Sequence, residues 1–192
     1  MKKDTPCIIF AGGKSSRMGE DKSLLPFGGF DSLCEFQLKK LQKLFKKVYI
    51  STKNPQKFNF KADFIIDNYD VFAPTAGFLS VYEKLKCEKF FILGVDIPFV
   101  DEKIINEIFI NDSNDVDATL AKTSNGIESL CGIYHKSLKQ KFENMLQEDN
   151  HKLRYMLKNS NIKTVKFDDE KFLNLNKPQE YQKAKKLYDI IS

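Results

Sequence analysis

Short uninterrupted apolar runs alternate along this chain with longer stretches in which apolar residues recur every three or four positions. The run Cys7-Ile8-Ile9-Phe10-Ala11 is stopped by Gly12-Gly13, which predicts a strand buried on both faces that feeds a loop. From Ser32 to Lys46, Leu33, Phe36, Leu38, Leu41 and Leu44-Phe45 fall at roughly helical spacing, with lysines filling the outer face. Strands are predicted at 48–51, 64–67, 90–95, 117–121, 130–134 and 162–167, and helices at 74–85, 102–109, 137–146, 153–157 and 178–191. Strands separated by helices make parallel βαβ units with helices on both faces of the sheet. The neighbouring strands near 117 and 130, joined by a polar turn around Asn125-Gly126, predict one local antiparallel departure.

A chain of 192 residues with 17 Phe can bury one sizeable core, and no linker or repeat divides it, so one domain over 1–192 is expected. The net charge of +5 suits anionic ligands, but basic and acidic residues are interspersed, which argues against a nucleic-acid surface. No apolar run approaches the ~18 residues of a membrane span, and the N-terminus lacks a signal-peptide pattern; a cytoplasmic protein without membrane contact is expected. Cys7, Cys34, Cys87 and Cys131 show no CxxC spacing and are expected to be reduced, buried thiols. With only two histidines, any metal must rest on carboxylates.

The loop after the first strand runs Phe10-Ala11-Gly12-Gly13-Lys14-Ser15-Ser16-Arg17-Met18-Gly19-Glu20-Asp21-Lys22. Glycines let backbone N–H groups approach phosphate oxygens, and Lys14, Arg17 and Lys22 bring three cations within nine residues, a density suited to a triphosphate. The GxxxxGK[ST] spacing is absent, because the fifth residue after Gly12 is Arg17 and after Gly13 is Met18. Adjacency of Gly12 and Gly13 also breaks the GxGxxG dinucleotide pattern. Downstream, Asp96 stands at the end of the strongest apolar strand, in Gly94-Val95-Asp96-Ile97-Pro98, where ligands of open α/β sheets bind. Asp67 ends another strand, Gly77 opens a helix, and Asn174-Leu175-Asn176 places two amides on one side of an extended segment before Pro178. Taken singly, each of these is also an ordinary turn, helix start or cap.

The loop and these marks together resemble the nucleotidyltransferase superfamily. The paired glycines and the Asp21-Lys22 ending of Arg17-Met18-Gly19-Glu20-Asp21-Lys22 are most similar to its molybdenum cofactor guanylyltransferase branch. Pro74-Thr75-Ala76-Gly77 resembles that family's Pro-Leu-Ala-Gly segment with Thr75 in place of leucine. Asn174-Leu175-Asn176-Lys177-Pro178 resembles its Asn-x-Asn-Thr-Pro, with Lys177 in place of threonine, and Ser51 stands where asparagine is frequent. Residues 100–165 resemble the family only loosely.

The resemblance implies a Rossmann-like three-layer α/β/α fold and GMP transfer from GTP to Mo-molybdopterin with Mg²⁺ as cofactor. The alternative within the superfamily is molybdopterin cytidylyl or sugar-phosphate nucleotidyl transfer. It further implies nucleotide contacts from Phe10, Ala11, Gly12, Gly13, Lys14, Lys22, Asp67, Gly77 and Asp96, and catalytic roles for Arg17, Lys22 and Asp96. Asp96 would be the metal ligand, and Asn174 and Asn176 would serve the acceptor side. Transient contacts with cofactor-delivery proteins and apo-molybdoenzymes follow from the same resemblance.

Overall fold

In the computed structural model, residues 1–12, 19–71 and 73–191 are described. Among these residues seven strands form one sheet: β1 (Cys7–Phe10), β2 (Val48–Thr52), β3 (Asp63–Ile66), β4 (Lys89–Gly94), β5 (Ala118–Thr123), β6 (Gly126–His135) and β7 (Ile162–Lys166). Their spatial order is β3-β2-β1-β4-β6-β5-β7. Pairings are parallel except those of β6, which runs antiparallel to both β4 and β5. The local antiparallel departure expected near 117 and 130 is therefore present, built on the two-residue turn Ser124-Asn125.

Among the described residues six α-helices cover the sheet: α1 (Leu33–Gln42), α2 (Pro74–Lys84), α3 (Glu102–Asn111), α4 (Lys139–Gln147), α5 (Leu153–Lys158) and α6 (Pro178–Ile191). Successive strand residues point to opposite faces, so Cys7 and Ile9 join one core while Ile8 and Phe10 join the other. The first core packs under α1, α3 and α6, the second under α2, α4 and α5, giving three α/β/α layers. Phe78 anchors α2 to the second core, with its ring centroid 4.3 Å from that of Phe142 and 4.5 Å from that of Tyr134. That anchorage brings the start of α2 down onto Phe10, at the carboxyl end of β1.

Two expectations about α1 are corrected. The helix stops at Gln42 rather than Lys46, because residues 44–46 turn their backbone to the N-terminal segment, with Lys3 N–H donating to the Leu44 carbonyl at 2.8 Å and Lys46 N–H to the Lys3 carbonyl at 3.0 Å. Nor do its lysines all face outward: Lys40 turns back toward the carbonyls of Pro98 and Val100. The four cysteines are free thiols; Cys7, Cys34 and Cys131 are buried, whereas Cys87 is only half-buried.

Candidate active site

The chain leaves β1 toward β2 and β3 on one side, while β4 lies on the other side of β1 with β6, β5 and β7 beyond it, so the carboxyl ends of β1 and β4 flank the crevice where the sheet changes winding direction. Asp96 lies two residues beyond β4. Of residues 95–100 it alone is not buried. Its carboxylate oxygen accepts from Lys22 Nζ at 2.8 Å, and the same ammonium donates to Asn176 Oδ1 at 2.9 Å. Backbone bonds tie in the same segments, since the Asp96 carbonyl accepts from Leu175 N–H at 2.9 Å and Val95 N–H donates to the Phe10 carbonyl at 3.1 Å. Three segments remote in sequence thus converge on one lysine–carboxylate pair. A Cβ on Gly94 would come within 2.8 Å of Asp96 Oδ1, so a side chain there would displace the carboxylate.

Lys22 is positioned by a short 3₁₀ turn (Lys22–Leu24) whose cap is Asp21, accepting from Ser23 N–H at 3.0 Å and from Ser23 Oγ at 2.7 Å. The other Asp21 oxygen accepts from Lys57 Nζ at 2.7 Å, and Lys57 also donates to the Ala11 carbonyl at 3.1 Å. Burial pushes the Asp21 carboxyl up, but the bonds from Lys57 and Ser23 outweigh it and hold the group below the usual range.

On one side of this centre lies a cavity of about 320 Å³ whose walls include Phe10, Gly12, Ser51, Lys53, Asp67 and Gly77. Gly77 is needed for its shape: a Cβ there would stand 2.8 Å from the Phe10 ring and 3.3 Å from Ser51 Oγ. Ala73, at the cap position of α2, supplies no side-chain acceptor, which leaves first-turn amides beside the cavity without that partner. Asp67 Oδ1 accepts from Tyr69 N–H at 3.1 Å, and its other oxygen lies 3.5 Å from Lys53 Nζ. On the other side a cavity of about 670 Å³ is lined by both Asn174 and Asn176, together with Asn125, Asp169, Phe172 and Glu180. The two amides do share one side of the segment.

Asn176 is not the cap of α6, as an Asn before a Pro-started helix suggests. Glu180 performs that task, its carboxylate accepting from the Asn176 and Lys177 N–H groups at 2.8 Å each, which releases the Asn176 amide for Lys22. Asn174 Oδ1 is buried and has no hydrogen-bond partner among the described residues. Phe10, Gly12, Asp67 and Gly77 therefore line one cavity, Lys22, Asp96 and Asn176 bond together, and Ala11 is buried with its N–H donating to the Ser51 carbonyl at 3.0 Å. Gly13, Lys14 and Arg17 lie outside the described residues. Sequence reasoning missed Asp21, Lys53, Lys57 and Glu180. Glu180 carried a readable signal, a carboxylate three residues into the cap-to-helix pattern, and Asp21 stands in the Asp21-Lys22 ending already noted, whereas Lys53 and Lys57 carried none.

No helix among the described residues is long and apolar enough to cross a membrane. The family model of the MobA-like NTP transferase domain matches residues 7–165. A molybdenum cofactor guanylyltransferase of Campylobacter jejuni is 38% identical over 93% of this chain and 94% of its own. One from Helicobacter pylori is 32% identical over 93% and 90%. The molybdopterin-guanine dinucleotide biosynthesis protein A of Archaeoglobus fulgidus superposes with a TM-score of 0.83 at 20% identity, covering 97% of this chain and all of that one, a likeness of fold. With its central sheet, its crevice and most of its length matched, this chain belongs to the family of MobA-like NTP transferases.

Proposed function

We propose that the protein is one functional domain that transfers GMP from GTP to the terminal phosphate of Mo-molybdopterin and releases pyrophosphate. The observation that carries this reading is the junction of Lys22, Asp96 and Asn176, set between a cavity on the β1–α2 side and a second cavity lined by two asparagines. Two substrates need two pockets that meet at one charged centre. The smaller cavity takes the nucleoside, with Asp67 and Ser51 in its wall and Gly77 allowing close approach of the base or sugar. The larger one takes the pterin.

In the reaction an oxygen of the acceptor phosphate forms a bond to the α-phosphorus, and the bond from that phosphorus to the oxygen bridging to the β-phosphate breaks. Negative charge moves onto pyrophosphate as this happens. The chain's work is to align the two substrates and to neutralise that charge, with Lys22, and with Lys14 and Arg17 of the same loop, as the cations. The chemistry of the available oxygens suits Mg²⁺: Asp96 would supply a carboxylate, and Asn174 Oδ1 is a buried oxygen without a hydrogen-bond partner among the described residues, where no cluster of three or more His, Cys, Asp or Glu gathers. Mg²⁺ bound there would supply Lewis-acid polarisation of phosphate oxygens. Asn176 orients the acceptor side, and Glu180 keeps its amide free to do so. The same reading places the enzyme in the cytoplasm, with product passing to cofactor-delivery proteins and apo-molybdoenzymes.

The decisive test incubates the protein with GTP, Mg²⁺ and Mo-molybdopterin and identifies the product by mass. The expected product is the guanine dinucleotide form of the cofactor. A cytosine dinucleotide formed preferentially from mixed GTP and CTP, or no pyrophosphate release at all, would overturn the assignment.

A further inference from the structure

The turn that carries Asp96 poses a problem of backbone accounting. Beyond Gly94 the chain has left the sheet, yet Val95 and residues 97–100 are buried, so their carbonyls have neither strand partners nor open water. Apart from the Ile97 N–H, which reaches the Gly94 carbonyl at 3.4 Å, the donors among the described residues are side chains on the inner face of α1. Gln37, wholly buried, brings its amide nitrogen within 3.4, 3.4 and 3.3 Å of the carbonyl oxygens of Gly94, Val95 and Ile97. One turn further along, Lys40 Nζ donates to Pro98 and Val100 carbonyls at 2.7 and 2.9 Å. The neighbouring inward residues Cys34, Leu38 and Leu41 are apolar and completely buried, so volume alone does not call for a polar pair here.

From this arrangement we infer that Gln37 and Lys40 are positioning residues for the reaction, acting through the backbone of residues 94–100 to aim the Asp96 carboxylate. The inference rests on the reading of Asp96 as a cation ligand. Five carbonyls gathered by two side chains of a rigid helix leave the Asp96 side chain as the only part of the turn directed toward solvent. Desolvation pulls Lys40 down to about 7, opposed by Cys131, Asp101 and Cys7 and reinforced by Lys171. In either protonation state the amino group has N–H donors enough for the two carbonyls at hydrogen-bond distance.

The test replaces each side chain by one of similar length without donors, Gln37→Met and Lys40→Met, beside Lys40→Arg and Asp96→Ala. Mn²⁺ affinity in the presence of GTP is measured by electron paramagnetic resonance, together with kcat, KM for GTP and thermal unfolding. The expected result is a loss of about tenfold in both Mn²⁺ affinity and kcat for each methionine variant, an unchanged KM for GTP, and substantial recovery in Lys40→Arg. Methionine variants that melt earlier yet hold Mn²⁺ and turn over as the wild type does would overturn the inference, leaving a packing role only. A fall in both methionine variants without recovery in Lys40→Arg would overturn it for Lys40 while sustaining it for Gln37. If Asp96→Ala itself binds Mn²⁺ normally, the ligand role of Asp96 fails and the positioning role falls with it; if Asp96→Ala loses Mn²⁺ and the methionine variants do not, the positioning role alone is refuted.

Discussion

The sheet carries a lysine–aspartate pair at each end, and the two are built to opposite specifications. At the amino end of β4, Asp112 accepts from Lys89 Nζ at 2.6 Å, from Thr119 Oγ1 at 2.8 Å and lies 3.0 Å from His135 Nε2, with its side chain 2% exposed. At the carboxyl end, Asp96 is 19% exposed, and Lys22 holds one of its oxygens. Burial pushes Asp112 up, but the bonds from His135, Lys89 and Thr119 prevail and hold it at about 2. Both of its oxygens are committed to the protein, so the group stabilises and does nothing else. Asp96 retains lone pairs for a visitor. If Asp96 serves the reaction as proposed, the difference between a structural and a functional carboxylate is a matter of remaining valence rather than of partner type.

The sharpest way to break this comparison is to remove each aspartate in turn. Asp96→Ala is expected to lower kcat by at least about 10³-fold while leaving the unfolding midpoint near that of the wild type, checked by pyrophosphate release and thermal denaturation. Asp112→Ala should do the reverse, costing about 3 kcal/mol in denaturant unfolding because Lys89 and His135 lose a buried partner, with little change in kcat where the variant is folded. Equal effects of the two on either assay would erase the distinction. A finer probe is Gly77→Ala, whose methyl would strike the Phe10 ring. GTP affinity, measured by calorimetry, should fall about tenfold, or about 1.4 kcal/mol, and an unchanged affinity would move the nucleoside out of that cavity.

The smallest effect concerns acid. Because the folded Asp112 has a pKa below its ordinary value of 3.8, its contribution is complete above about pH 4 and is lost as pH falls toward about 2. The stability gap between wild type and Asp112→Asn should therefore close over that interval. A gap that stays constant would show that the network holds without the charge.

Much of this architecture can be read from apolar periodicity, because a parallel sheet buried on both faces imposes continuous runs such as Ile8–Phe10 and Phe90–Leu93. What periodicity hides is polar residues that face inward. Gln37 and Lys40 stand in a helix whose other lysines and glutamines look alike in sequence, and only the location of uncommitted carbonyls after β4 shows which of them turn inward. The site divides in the same manner. Asp96, Asp67 and Gly77 are marked by strand ends and a helix start, positions that the order of elements defines. Lys57 and Lys53 follow β2 in a segment with no motif, and their places become visible only once β2 and β1 are paired.

The contact between Lys22 and Asp96 has one more implication. The two charges compensate each other across a 2.8 Å gap. A polyanion that draws the ammonium away leaves a carboxylate in want of a counter-ion, and a divalent ion that captures the carboxylate sets the ammonium loose. Under the proposed function either arrival would favour the other by the same factor, and the centre would work like the bead of an ion exchanger, taking up salt as a pair.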